Sequence, residues 1–175
     1  EMDIEFNGTC NATRSKLYRR AYYEATAFQD YNVGAVLSTL DELRLTDSTL
    51  TVLLGDHGWN LGEHDLWAKF NLFETGCHIP LIIRAPWLPH SVGQHTDVLA
   101  EAVDLYPTMA ALCGLPPPQE FAQELNGTNL APLFARAPAP GSGSALKPAA
   151  YSQFGKCAAY EQAKTNFTLQ NLCRR

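Results

Sequence analysis

Asp56 and His57 stand side by side directly after a short apolar run, and Lys69 follows in the same stretch, LTVLLGDHGWNLGEHDLWAK at residues 50–69. A carboxylate brings one or two hard oxygen donors and a neutral imidazole brings one nitrogen. The pair is therefore a candidate for holding a cation such as Ca2+ or another divalent ion. It cannot complete a shell, since Ca2+ takes roughly six to eight donors and Mg2+ about six. Lys69 ends in a compact ammonium that suits a tetrahedral anion, and a loop folding back would set it over the same spot. The plainer reading of these residues is a hydrogen-bonded turn followed by a solvated lysine. Glu63 and His64 read as holding the shape of the loop. His78 opens an expected strand and is given no role, and His90 and His95 fall in a polar turn region and read as solvated. Trp59 and Trp67 bracket the motif as packing that keeps the loop rigid, with one of them available to floor a sugar pocket.

Elements of definite type must carry these residues. Leu50, Val52, Leu53 and Leu54 form an apolar run bounded by turn formers, which reads as a buried strand stopping at Gly55. In an open α/β sheet, chemistry collects beyond the carboxyl ends of the strands. Gly58 is expected to take backbone angles closed to other residues. Upstream, Leu17, Ala21, Ala25, Phe28, Asn32, Val36, Leu40 and Leu43 recur every three or four residues, a helical face expected to pack on the sheet. Thr46-Asp47-Ser48 turns that helix into the Leu50 strand. Ile79 to Ile83 reads as a second buried strand closed by Arg84, Pro86 and Pro89. Asp104 is placed to cap a further helix, with Pro107 in its first turn, Gly114 after its last and Pro116 to Pro118 preventing continuation. Helix-turn-strand order points to an α/β fold, a mostly parallel sheet flanked by helices. Residues 1–136 read as one unit and the Pro/Gly/Ser/Ala-rich residues 137–145 as a linker. In the C-terminal segment 146–175, only residues 149–154 suggest a strand. No internal repeat is present.

The 175 residues are 46% apolar, enough for a core in a single domain. Net charge is −5, and Arg14, Lys16, Arg19 and Arg20 make the one basic cluster. Non-specific nucleic-acid binding, which needs a strongly basic face, is thereby disfavoured. A polyanionic sugar is not, because screening within about 8 Å makes local charge count for more than the total. No apolar run approaches the ~18 residues of a membrane span. The chain begins at Glu1 without a charged-then-apolar leader, so it is expected to be an internal or C-terminal piece of a longer precursor. Sequons at Asn7, Asn11, Asn126 and Asn166 and five cysteines point to the secretory pathway, lysosomal or exported. Cys10, Cys77, Cys113, Cys157 and Cys173 are odd in number. Cys157 and Cys173 could close a loop worth about 3 kcal/mol. Cys113, in an apolar helix, reads as a buried thiol.

The string DHGWNLGEHDLWAK resembles the sulfatase family of the alkaline-phosphatase-like superfamily, in particular its iduronate 2-sulfatase branch. Flanking segments resemble the same family, with YRRAYYEATAFQDYNVGAVLSTLDEL before the string and CHIPLIIRAPW and VDLYPTMAALCGLP after it. The resemblance spans residues 17–134. It implies an incomplete alkaline-phosphatase-like domain that hydrolyses sulfate esters of an anionic sugar, in the manner of glycosaminoglycan breakdown. It also implies metal ligation by Asp56 and His57 and sulfate binding by Lys69. An aspartate pair and a formylglycine nucleophile are expected upstream, in the remainder of the precursor, so the piece alone should be inactive. Cys10-Asn11-Ala12-Thr13-Arg14 matches the short formylglycine pattern. The family's Thr-Gly-Arg continuation is missing, however, the match lies only one helix before the motif, and Asn11 belongs to a sequon. The match reads as accidental.

Two other functions stay open. One keeps the superfamily and changes the ester, giving a phosphodiesterase or phosphonate hydrolase. The other is a secreted glycoprotein that keeps the scaffold without catalysis.

Overall fold

A computed structural model describes residues 11–69, 71–116, 125–135 and 146–153. The expected N-terminal loop, the Cys10 side of the pattern, the sequons at Asn7 and Asn166, the linker and the Cys157–Cys173 pair lie outside the described residues.

Helix α1, Ala12–Glu42, starts where Asn11 takes an extended backbone and its side-chain oxygen accepts the Arg14 N–H at 2.9 Å, which satisfies an N–H that the first turn leaves orphaned. The helix ends at Leu43 and Arg44, the latter at φ 57°. The turn that follows leads into β1, Thr51–Leu54, the strand expected from the apolar run, though it is half-buried to exposed where a buried strand was expected.

Strand β1 pairs with β4, Leu81–Arg84, in antiparallel register, Val52 opposite Ile83 and Leu53 opposite Ile82. This pair thus runs antiparallel within a fold expected to be mostly parallel. The reason lies in the connection. Parallel neighbours need a crossover, usually a helix, that carries the chain back to the starting end of the sheet. Between β1 and β4 the chain makes only a small antiparallel hairpin, β2 (Asn60–Leu61) against β3 (Trp67–Ala68), and the single-turn helix α2 (Glu74–Cys77). It therefore re-enters from the end at which it left. Arg84 secures the pair to the preceding turn by donating to the Thr46 carbonyl at 2.6 Å.

The apolar face of α1 does not pack on this sheet. No residue of α1 is buried, and Leu17, Phe28 and Val36 are each about 60% exposed. The first turns of the helix instead meet the β2–β3 hairpin, where Tyr18, Ala21, Tyr22 and Ala25 face Trp59 and Trp67 across a cleft of about 170 Å3.

The buried centre lies further along the chain, around α3, Leu105–Leu112, the helix expected after Asp104. Ala85, Leu112 and Leu130 are its buried apolar residues. Pro107 falls in the first turn of α3 and Gly114 follows its last at φ 67°, a left-handed conformation suited to glycine. Asp104 stands at the N-cap position of α3, as expected, but makes no side-chain cap bond there. Its carboxylate closes a reciprocal capping box with Glu101 on the preceding 3-10 turn and accepts the Thr128 N–H at 2.7 Å. Cys113 is exposed, contrary to the buried thiol expected, because it sits at the C-cap where the chain leaves the apolar face. Residues 149–153 form no strand. The segment is held by single bonds, Tyr151 N–H to Glu101 at 2.8 Å and the Lys147 ammonium to both Glu101 and Asp104. A short helix α4, Pro132–Ala135, completes the described elements.

Candidate active site

Asp56, His57 and Lys69 converge at the carboxyl end of β1. His57 Nε2 lies 3.3 Å from Asp56 Oδ2 and 2.9 Å from Lys69 Nζ. The other ring nitrogen, Nδ1, is 2.8 Å from the Gly58 carbonyl oxygen. A carbonyl only accepts, so Nδ1 carries the proton and Nε2 presents a lone pair. That lone pair meets a donor, the Lys69 ammonium, beside a carboxylate oxygen. The Asp56 side chain is 87% exposed and that of His57 31%, so solvent reaches the first freely and only one side of the second. The His57 N–H donates back to Asp56 Oδ1 at 3.0 Å, which turns the carboxylate toward the ring.

Backbone contacts fix the loop. Gly58 donates to the Gly76 carbonyl at 3.0 Å, and a Cβ added to Gly58 would fall 2.0 Å from the Thr75 carbonyl oxygen. Glycine is required here for close approach of two chain segments. The special backbone angles expected at Gly58 occur instead at Gly62, φ 113°. His64, Asp65 and Ala68 also hold positive φ, at 55°, 58° and 68°. Such angles cost L residues about 1–3 kcal/mol each and persist where surrounding contacts impose them.

Those contacts are specific. Asn60 is fully buried; its Nδ2 donates to the Ala68 carbonyl at 3.0 Å, and its Oδ1 accepts the Thr75 hydroxyl. Glu63 accepts the Leu61 N–H at 2.6 Å. That backbone bond, with a second from the N–H of Glu63 itself and the nearby Arg19 charge, keeps its carboxyl below the ordinary range against the opposing pull of partial burial. His64 stacks on Phe73, centroids 4.0 Å apart, so both residues of the Glu63-His64 pair serve the loop. Trp59 lies roughly parallel to the His57 ring at 6.2 Å. Trp67 packs against Tyr18 and under the Arg19 guanidinium, which also donates to the Leu61 carbonyl at 2.9 Å. His78 pairs with Glu74 at the surface, and His90 and His95 are exposed.

Reasoning from sequence alone overlooked Asn60, Thr75 and Arg19. A lone asparagine among turn formers carries no signal of burial, and Arg19 read only as one member of a basic cluster.

Asp56 and His57 fit a divalent cation in donor type and in convergence, an accessible carboxylate beside a neutral imidazole lone pair. They supply only part of a shell. Among the described residues no group of three or more His, Cys, Asp or Glu gathers to hold a metal ion.

Residues 2–115 match the family model described as Sulfatase. The chain is 38% identical to iduronate 2-sulfatase of Mus musculus, with 57% of this chain and 22% of that protein covered. It is 36% identical to choline-sulfatase of Rhizobium meliloti (strain 1021), covering 66% and 22%. Among solved structures, the phosphonate monoester hydrolase of Agrobacterium radiobacter aligns with a TM-score of 0.61 at 30% identity, covering 67% of this chain and 22% of that one. The corresponding enzyme of Silicibacter pomeroyi aligns at 0.53 and 34%, covering 63% and 21%. The chain thus spans about a fifth of the length of the relatives it matches. These neighbours place it in the alkaline-phosphatase-like α/β fold as a partial domain, and by the match over most of its length the chain belongs to the sulfatase family.

Proposed function

We propose that this chain is part of the catalytic domain of a metal-dependent sulfatase that hydrolyses sulfate esters of an anionic sugar, with iduronate 2-sulfate as the model substrate. The observation that carries the proposal is the His57 ring. Its Nδ1–H is committed to the Gly58 carbonyl, and its Nε2 lone pair faces the point shared by Asp56 Oδ2 and Lys69 Nζ.

Asp56 and His57 would hold the cation, Ca2+ or another divalent ion, which when bound lowers the cost of negative charge on a sulfate oxygen. Asp56 presents an anionic oxygen outward while its other oxygen holds the His57 N–H, so the carboxylate keeps one orientation. The Lys69 ammonium, placed over the same point, turns to bind sulfate oxygens and neutralises charge as the S–O bond breaks. Trp59 lies roughly parallel to the imidazole at 6.2 Å. The nucleophile, a formylglycine, and the remaining metal donors come from protein outside this segment, as does most sugar recognition. Residues 1–136 serve the catalytic domain, 137–145 link, and 146–175 form a C-terminal segment. Glycans at Asn7, Asn11, Asn126 and Asn166 fit passage through the secretory pathway to a lysosomal or extracellular site. Neither nucleic acid nor a membrane span belongs to this reading, and no described helix is long and apolar enough to cross a membrane.

A second reading, hydrolysis of a phosphonate or phosphate ester at the same site, is favoured by the structural likeness to two phosphonate monoester hydrolases. Turnover of an aryl sulfate and an aryl phosphonate by the complete protein separates the two. Preference for the phosphonate would overturn the sulfatase reading. If neither ester turned over and divalent-cation binding survived Asp56→Ala and His57→Ala unchanged, the non-catalytic glycoprotein reading would replace both.

A further inference from the structure

We infer that Asn60, with Thr75 behind it, is the positioning residue for Lys69; the inference rests on the reading of Lys69 as the sulfate-binding group. Asn60 has no exposed surface, and both polar atoms of its amide bond the site's scaffold. Its Nδ2 holds the Ala68 carbonyl at 3.0 Å, and that carbonyl belongs to the peptide linking Ala68 to Lys69. Ala68 has φ 68°, an angle that a residue with a Cβ takes only under constraint, and this angle decides the direction in which Lys69 leaves strand β3. The register pair Asn60–Ala68 makes that bond a cross-strand tie within the hairpin.

The other half of the amide turns to α2. Thr75 donates its hydroxyl to Asn60 Oδ1. The same turn receives the Gly58 N–H at the Gly76 carbonyl and stands in van der Waals contact with Gly58 through the Thr75 carbonyl. One turn of helix therefore holds both the Gly58 loop and strand β2 of the site. Through Gly58 it locates His57, and through Asn60 and Ala68 it locates Lys69, so the 2.9 Å separation of Lys69 Nζ and His57 Nε2 is set by a shared support. An amide at position 60 is needed because it must accept from Thr75 and donate to Ala68 at once, which neither a carboxylate nor an apolar side chain does.

A double-mutant cycle on the complete protein tests this, read as kcat/KM on an aryl sulfate for Asn60→Ala, Lys69→Ala and the double variant. Removal of a group that orients a ligating or binding side chain costs about 10–100-fold. Asn60→Ala is expected to lower kcat/KM about tenfold, and the double variant should be no worse than Lys69→Ala. If the two effects multiply, or if Asn60→Ala keeps parental kcat/KM, the inference is overturned. Should Asn60→Ala fail to fold, Thr75→Val, which removes only the hydroxyl donor, takes its place in the cycle, and Thr75→Ser should restore activity. An undiminished Lys69→Ala overturns the sulfate-binding assignment and this inference together, whereas a damaged Lys69→Ala with a silent Asn60→Ala overturns this inference alone.

Discussion

Lys69 Nζ and His57 Nε2 stand 2.9 Å apart although they are twelve positions apart in the chain, and the Asp56 carboxylate lies 3.3 Å from the same imidazole nitrogen. An ammonium in that place stands where a cation would also be drawn. In the complete protein, Asp56→Ala and His57→Ala should each weaken divalent-cation binding at least tenfold, by analogy with the effect of losing groups around metal ligands. Lys69→Ala should leave that affinity equal or higher, because a competing positive charge has gone. Isothermal titration with Ca2+ reads all three, and a weaker Ca2+ affinity in Lys69→Ala would contradict the arrangement. Chelation should abolish ester hydrolysis and added Ca2+ should restore it.

Gly58→Ala should destabilise the complete protein by about 2–4 kcal/mol, in the range of severe steric substitutions. The new methyl would meet a backbone carbonyl at 2.0 Å, and backbone cannot swing aside as a side-chain tip can. Urea unfolding checks the value. Gly93→Ala is the control for crowding, since nothing lies within 4 Å of its added Cβ, although its φ of 69° leaves a modest strain.

Lys147 ties the C-terminal segment to the start of α3. Burial lifts the Asp104 pKa, but the Lys147 bond and the Glu101 and Thr128 N–H groups outweigh it and hold the carboxyl below its ordinary range. Glu101 is lowered as well, first by Lys147 and then by the Tyr151 N–H. Groups whose folded pKa is depressed contribute stability that is full above their unfolded values, about 4, and lost as pH falls through the lower folded values. Burial lowers the Lys147 pKa, the two carboxylate bonds more than offset it, and the net shift is upward. Its contribution is full below its unfolded pKa of about 10.4 and lost as pH rises through the folded one. Lys147→Met should cost about 3 kcal/mol, the toll of leaving a buried carboxylate without its partner. The cost should be the same at pH 7 and pH 5, and urea midpoints at the two values check it.

Asn11 and Asn126 are exposed within their sequons. Asn11→Gln and Asn126→Gln in protein secreted from a eukaryotic host should each remove one endoglycosidase-sensitive step in electrophoretic mobility. Absence of either step argues against modification at that residue.

The parts of this molecule legible in the sequence are those fixed by near neighbours. The β1 strand followed by Asp56-His57, the return of Lys69, and α3 between Pro107 and Gly114 are local patterns, and the structure contains each of them. The antiparallel pairing of β1 with β4 was not legible, because pairing depends on what the intervening chain builds, and a small hairpin looks much like a loop. Lys147 and Asp104 are 43 residues apart, and a lysine after a proline-rich stretch carries no mark of its destination. Cys113 was misjudged because an apolar run foretells burial of its centre and says little about its cap. The helical stripe of α1 marked the helix, but among the described residues it does not pack on the sheet as expected.

Among the described residues, strands β1 and β4 each pair on one side only, and their Leu53, Leu54 and Ile82 are exposed. Every second peptide along such a border offers unspent donors and acceptors to any extended chain that drifts past. Made in isolation, the polypeptide should stick to itself as concentration rises, and in a cell it should be held by quality-control machinery until degraded. Light scattering across a dilution series would expose that stickiness.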